Sequence, residues 1–106
     1  MLDKTPLRID VATLDATTIQ LALSGDLDFD TVADLTRLTF DAGYDRLDVD
    51  LSGLAFIDSS GLAALVRLQR QVEGADAVLR VVALTPYLHN LMRMTGLDKL
   101  FSLPPG

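Results

Sequence analysis

Four consecutive residues in the middle of the chain, Asp58-Ser59-Ser60-Gly61, combine a carboxylate, two hydroxyls and a glycine. They follow a short apolar stretch and precede a segment whose apolar residues recur at helical spacing. Asp58 or Ser59 can therefore cap the N–H groups that a helix leaves unpaired in its first turn, and Gly61 would keep that end sterically open to an anion. The pattern indicates either plain helix capping or a serine that can be modified.

The helical segment after this motif predicts which way Ser60 points. At about 100° per residue, one side of the helix carries leucines and valines and the other carries Ser60 with small and polar residues, namely Ala63, Ala64, Arg67, Arg70 and Gln71. We therefore expect Ser60 to face water, on a surface that the two alanines keep small. A docking partner and a kinase could both reach a hydroxyl placed there.

An acidic run, Asp26-Leu27-Asp28-Phe29-Asp30, offers a second kind of chemistry because its alternating carboxylates resemble a calcium loop. The twelfth position of such a loop is a bidentate glutamate, but counted from Asp26 it is Arg37. The position that needs glycine is Thr31. We predict a solvated acidic turn and helix cap, with no metal site.

Enzymatic chemistry finds little support in the sequence. His89 is the single histidine, and it falls outside the apolar stripe of its helix, as a surface histidine would. No serine lies in a Gly-x-Ser-x-Gly motif, no cysteine is present, and no Gly-x-x-x-x-Gly-Lys loop could cradle nucleotide phosphates. The chain is predicted to be a binding protein without a cofactor.

The elements that position these residues follow from the apolar periodicity. Strands are predicted at 8–14, 18–23, 46–51 and 78–84, with Ser24-Gly25 and Ser52-Gly53 as strand ends. A last short strand is expected at 99–103. Helices are predicted after Thr31, which has a capping-box partner in Asp34, up to Gly43, then from the serine motif to Gly74, and from Pro86 to Gly96. This order predicts one α/β domain over residues 1–106, with a mixed sheet of four or five strands and about three helices packed on it.

Composition and charge narrow the classes of partner and the cellular compartment that the protein can have. The chain has 106 residues, 49% of them hydrophobic, and a net charge of −6, which disfavours direct contact with nucleic acid. Its apolar runs are far shorter than the roughly 20 residues of a membrane span. The absence of cysteine suits a reducing compartment, and the first residues do not read as a signal peptide. We therefore expect a cytoplasmic protein.

Three segments in the right order carry a resemblance to a known family. They are Leu-Ser-Gly-Asp-Leu-Asp at 23–28, Val-Asp-Leu-Ser-Gly-Leu-Ala-Phe-Ile-Asp-Ser-Ser-Gly-Leu at 49–62, and Met-Thr-Gly-Leu-Asp-Lys-Leu-Phe at 94–101. Together they closely resemble the STAS domains of bacterial anti-sigma factor antagonists, over nearly the whole chain.

The resemblance implies a partner-switching cycle. In such a cycle the unphosphorylated antagonist binds an anti-sigma factor that is also a serine kinase, and so releases a sigma factor. Phosphorylation of the second serine of the motif, here Ser60, ends the binding, and a PP2C-type phosphatase restores it. Asp28 and Asp58 match acidic residues that flank this serine in the family. The predicted partner-binding residues are Asp28, Asp58, Ser59, Gly61, Ala64 and Arg67. The alternative within the same fold is an interaction subunit of a membrane transport assembly, in which the serine is not phosphorylated.

Overall fold

A computed structural model describes residues 5–41, 43–101 and 103–104. Its four strands, β1 (Arg8–Thr13), β2 (Thr18–Leu27), β3 (Arg46–Ile57) and β4 (Val78–Leu84), form one sheet in chain order. β1 runs antiparallel to β2, whereas β2, β3 and β4 are parallel. The helices are α1 (Val32–Thr36), α2 (Ser59–Gly74) and α3 (Pro86–Thr95), followed by a 3-10 turn at Leu97–Lys99. The predicted α/β class, mixed sheet and three helices are confirmed.

The core lies between the sheet and the helices. Alternate residues of the three parallel strands are buried there, together with one side of α2 and of α3, as in Leu21, Leu47, Val49, Leu51, Leu79, Leu65, Val72, Leu88 and Met92. The intervening strand residues are mostly polar, and Gln20, Asp48 and Arg80 are aligned across the sheet. Asp48 is only 6% exposed, and its Oδ1 lies 3.0 Å from Nε of Arg46. One face of the sheet thus holds the core and the other is polar.

β2 and β3 are longer than predicted, and the expectation that Ser24-Gly25 and Ser52-Gly53 end them is wrong. The pairing of β2 with β3 shifts register between Ala22 and Ser24 and between Gly25 and Asp26, so both strands continue through irregularities. A Cβ on Gly53 would lie 2.7 Å from Cβ of Ser24. Gly53 therefore allows a close approach of two backbones inside the sheet rather than breaking it.

The first helix is shorter than predicted. α1 ends at Thr36, no helix continues through residues 38–41, and Ala42 lies outside the described residues. Thr36, Thr39 and Phe40 have poor helix propensity, which favours this early end. The capping box is also wrong, because the Thr31 hydroxyl donates to the carbonyl of Asp26 at 2.9 Å and makes no cap bond.

The last third of the chain follows the sequence signals at one helix and departs from them afterwards. α3 begins at Pro86 with the Thr85 side chain accepting from the Leu88 N–H at 3.2 Å, and ends at Gly96 with φ 77°. The last short strand is wrong for the described residues of 99–103, which form the end of the 3-10 turn and an irregular segment. Phe101 is 5% exposed and joins the core there.

Candidate functional site

The head of α2 is fixed by the carboxylate of Asp58. Its Oδ1 accepts a hydrogen bond from the Gly61 N–H at 3.0 Å, which caps the helix, and the Asp58 carbonyl accepts from Leu62 N–H at 3.0 Å. Of the two residues proposed from sequence as caps, the structure selects Asp58. The serine hydroxyls are therefore not needed to cap the helix.

Asp58 also joins the head of α2 to the turn that follows β2. Its second carboxylate oxygen, Oδ2, accepts from the Phe29 N–H at 3.1 Å, and its own N–H donates to the Leu27 carbonyl at 3.3 Å. Because β2 and β3 are parallel neighbours, their ends meet at the same edge of the sheet. The turn after β2 and the head of α2, joined by a hydrogen bond between residues 29 positions apart, thus form one surface around the serines.

The two serines differ in exposure. Ser59 is exposed and Ser60 is half-buried in the first turn of α2. Among the described residues, neither hydroxyl takes part in a hydrogen bond. A helix start favours negative charge through its dipole and its unpaired N–H groups, so a phosphate at this position is compatible with the helix.

Asp28 is buried, and the expectation of a solvated turn is wrong at this residue. It is only 4% exposed, and its Oδ1 accepts from the Asp30 N–H at 3.0 Å. Its own N–H donates to the Thr31 hydroxyl oxygen at 2.9 Å. Asp28 therefore shapes the turn from within, while Asp30 is exposed at its surface.

Gly61 and Ala64 are also buried, contrary to the expected open, small-residue face. A Cβ on Gly61 would collide with the Leu27 carbonyl oxygen and lie 2.6 Å from Cγ1 of Ile57. Ala64 is 1% exposed because α1 packs against this side of α2, with Leu35 and Ala64 lining the same groove. The helix is covered on two sides, whereas the sequence pattern considered only one.

Arg67 keeps an exposed position on α2, as expected. It lines a groove of about 160 Å³ between α1 and α2, together with Leu35, Thr36 and Gln71. Among the described residues it forms no ion pair.

Exposed aromatic rings near the serines were missed at the level of sequence. Phe29 is 77% exposed in the turn that Asp58 holds, and Phe56 is 45% exposed near the end of β3. Tyr87 is 46% exposed, and its hydroxyl donates to the Ile57 carbonyl at 3.4 Å. Large apolar side chains left in water beside polar groups are typical of protein-binding surfaces. The sequence signal that could have predicted an exposed ring was the position of Phe29 between two acidic residues in Asp28-Phe29-Asp30.

Other kinds of site find no support in the described part of the chain. It contains no cluster of three or more histidine or acidic side chains that could hold a metal ion. His89 lines a cavity on α3 and has no hydrogen bond to either serine among these residues. No helix described by the structure is long and apolar enough to span a bilayer.

Comparison with known proteins agrees with this arrangement. The family model described as "Mlab, STAS domain" matches residues 9–104. The chain belongs to the STAS domain family. An anti-sigma F factor antagonist from Paenibacillus polymyxa is 30% identical over 86 residues, which cover 76% of this chain and 73% of that protein.

Solved structures of anti-sigma factor antagonists match the fold. An anti-sigma factor antagonist from Mycobacterium paratuberculosis has a TM-score of 0.77 at 26% identity, covering 95% of this chain and 87% of its own. SpoIIAA in its unphosphorylated form has a TM-score of 0.72 at 19% identity, covering 92% and 89%. The phosphorylated form of SpoIIAA from Bacillus has a TM-score of 0.65 at 18% identity, covering 92% of each chain. The predicted family is confirmed, and the SpoIIAA structures support the fold.

Proposed function

We propose that this protein is a cytoplasmic anti-sigma factor antagonist that is switched off by phosphorylation of Ser60. In the unphosphorylated state it binds an anti-sigma factor, which is also its serine kinase, and so frees a sigma factor for transcription. A PP2C-type phosphatase reverses the modification. The observation that carries this proposal is a serine in the first turn of α2 whose hydroxyl has no hydrogen bond among the described residues, between two loops tied by Asp58.

The docking surface combines polar and apolar groups at the ends of β2 and β3. Ser59 and Ser60 lie at its centre, Phe29 supplies an aromatic ring on one side, and Arg67 extends it along α2. Aromatic residues and arginines that become desolvated contribute most of the free energy in typical interfaces. Asp28, Asp58, Gly61 and Ala64 act mainly by holding this surface in place.

Phosphorylation would change the charge of this surface more than its shape. A phosphate adds about −1.5 to −2 charges at neutral pH to a chain that already carries −6. The start of α2 tolerates the group locally, so the fold is expected to persist. The fold matches SpoIIAA in both its unphosphorylated and its phosphorylated form, which supports this expectation. Phosphorylation would then weaken partner binding without changing the fold.

The experiment incubates the protein with ATP and candidate anti-sigma factors that have serine kinase activity. We expect the mass gain of a single phosphate, mapped to Ser60 by peptide mass spectrometry. Ser59→Ala is the matched control, because it removes the neighbouring hydroxyl and should leave the mass gain intact. Phosphate found only at a residue other than Ser60 would contradict the proposed site.

Binding to the same anti-sigma factor provides the second readout. Ser60→Ala should bind and remain bound when ATP is added, whereas Ser60→Asp should bind about 100-fold or more weakly, because like charges in an interface cost several kcal/mol. Circular dichroism should be the same for both variants. Equal affinity of the two variants would refute the electrostatic account. If no anti-sigma factor binds and no phosphate is incorporated, the membrane transport assembly becomes the better explanation.

A further inference from the structure

A second concave site lies on the side of α3, away from the residues assigned to the switch. It is a cavity of about 280 Å³ between the end of β4, α3 and the C-terminal segment. Its size is near the lower end of the range for small-molecule pockets, about 300 Å³. The cavity is lined by none of the residues placed at the head of α2. The cavity thus has room for a compact ligand at a site separate from the head of α2.

One wall of the cavity is apolar. Leu84 from the end of β4, Pro86 from the first turn of α3 and Pro104 from the C-terminal segment contribute to it. Leu84 and Pro104 are half-buried, so part of this apolar surface remains open to solvent. Burial of an apolar group against such a wall is favourable by about 25 cal/mol per Å². The wall therefore suits the hydrocarbon body of a small molecule.

Three nitrogen-bearing side chains of α3 also line the cavity. His89, Asn90 and Arg93 occupy positions i, i+1 and i+4, so His89 and Arg93 lie one above the other on the helix and Asn90 lies beside them. A guanidinium, an imidazole and an amide can all donate hydrogen bonds. Donors that converge beside an apolar wall are suited to orient a ligand with one polar end.

The positive charge of Arg93 indicates which polar group a ligand of this cavity would carry. Arg93 is exposed and forms no ion pair with the residues that the structure describes. Arg93 is the one permanently charged side chain among the described residues that line the cavity. Its planar pair of N–H groups matches the two oxygens of a carboxylate. We propose that the cavity on α3 binds a small organic carboxylate, with the carboxylate on Arg93 and Asn90 and the apolar body against Leu84 and Pro104.

The probes are phenylacetate, its neutral analogue phenylacetamide, and inorganic phosphate, each titrated into ¹⁵N-labelled protein and followed by NMR. We expect phenylacetate to shift the amide signals of residues 83–93. Phenylacetamide lacks the charge and phosphate lacks the apolar body, so each should bind at least about tenfold more weakly, since hydrogen bonds to charged groups are the strong ones. Phosphate binding as tight as that of phenylacetate would overturn the proposal.

Variants of exposed arginines test the assignment to Arg93. Arg93→Gln should weaken phenylacetate binding about tenfold, to the level of phenylacetamide, and Arg70→Gln on α2 is the matched control that should leave it unchanged. Arg93 lies in the last turn of α3, where a cation also favours the helix dipole. A purely structural role there would change the unfolding midpoint of the variant without changing its affinity for phenylacetate.

The proposal is overturned if phenylacetate shifts no signals up to millimolar concentration, or if the shifts map to the head of α2. It is also overturned if Arg93→Gln and the unmodified protein bind phenylacetate equally. None of these outcomes bears on phosphorylation at Ser60, because the two sites share no residue. The cavity and the switch can therefore be tested independently.

Discussion

Gly61 gives the sharpest test of how the head of α2 is held, through the substitution Gly61→Ala. The added methyl group would meet the Leu27 carbonyl oxygen and Cγ1 of Ile57, the latter at 2.6 Å. The Leu27 carbonyl cannot retreat freely, because it also accepts the hydrogen bond from the Asp58 N–H at 3.3 Å. Overpacking of this kind costs about 1–3 kcal/mol, and contact with fixed backbone places the cost near the upper end. The higher helix propensity of alanine offsets at most about 1 kcal/mol of this cost.

The expected net loss for Gly61→Ala is therefore about 2 kcal/mol. For a domain of this size it corresponds to a melting temperature lower by roughly 8–16 °C. Urea unfolding and thermal circular dichroism measure both quantities.

Gly74→Ala is the matched control, since it lies at the other end of the same helix and a Cβ there meets nothing within 4 Å. This control should be neutral or more stable by up to about 1 kcal/mol. If Gly61→Ala is as stable as Gly74→Ala, the close approach of α2 to β2 described above is refuted.

Three further changes probe other parts of the molecule. Gly96→Ala should lower the free energy of unfolding by about 1 kcal/mol in a urea titration, because φ is 77° although a Cβ there would meet open space; an unchanged value would contradict the left-handed helix end. The pKa of Asp15 is lowered, chiefly by the hydrogen bond from the Thr17 N–H, so the carboxylate stabilises the fold above its unfolded pKa of 3.8 and that contribution is lost as the pH falls through the folded pKa. Asp15→Asn should accordingly flatten the acid limb of stability measured against pH, and an identical limb would exclude this role. Phe29→Ala should weaken anti-sigma factor binding about 30-fold in calorimetry while leaving stability within about 0.5 kcal/mol; Met94→Ala, which removes another exposed side chain, serves as control, and equal affinity of the two variants would remove Phe29 from the interface.

Local chemistry made much of the fold predictable from sequence. Thr85-Pro86 and Gly96 bound α3 as expected, because a threonine cap, a proline in the first turn and a left-handed glycine act within a few residues. β4 has the predicted bounds, since its β-branched residues favour an extended strand. The helical spacing of the apolar residues after the serine motif placed Ser60 in the first turn of α2, which the structure confirms.

The failures share a physical cause, which is contact between segments distant in sequence. Gly53 resembles a strand break in isolation, but its role depends on the approach of Ser24 in a neighbouring strand. Ala64 resembles a surface alanine until α1 packs on it. Asp28 resembles a solvated acid, yet it is 4% exposed in a turn that folds back on it. A single-helix projection or a local composition contains none of this information.

The four strands lie in the sheet in the same order as in the chain, and this order affects how the protein can fold during its synthesis. Each strand of the β1-β2-β3-β4 sheet adds to the edge formed just before it, so no strand needs to insert between two others. A chain emerging from the ribosome can therefore build its sheet in the order of synthesis. The Tyr87 hydroxyl, which reaches the Ile57 carbonyl beside the serines, arrives late in that order. The surface around the serines would thus be complete only after most of the domain has been translated.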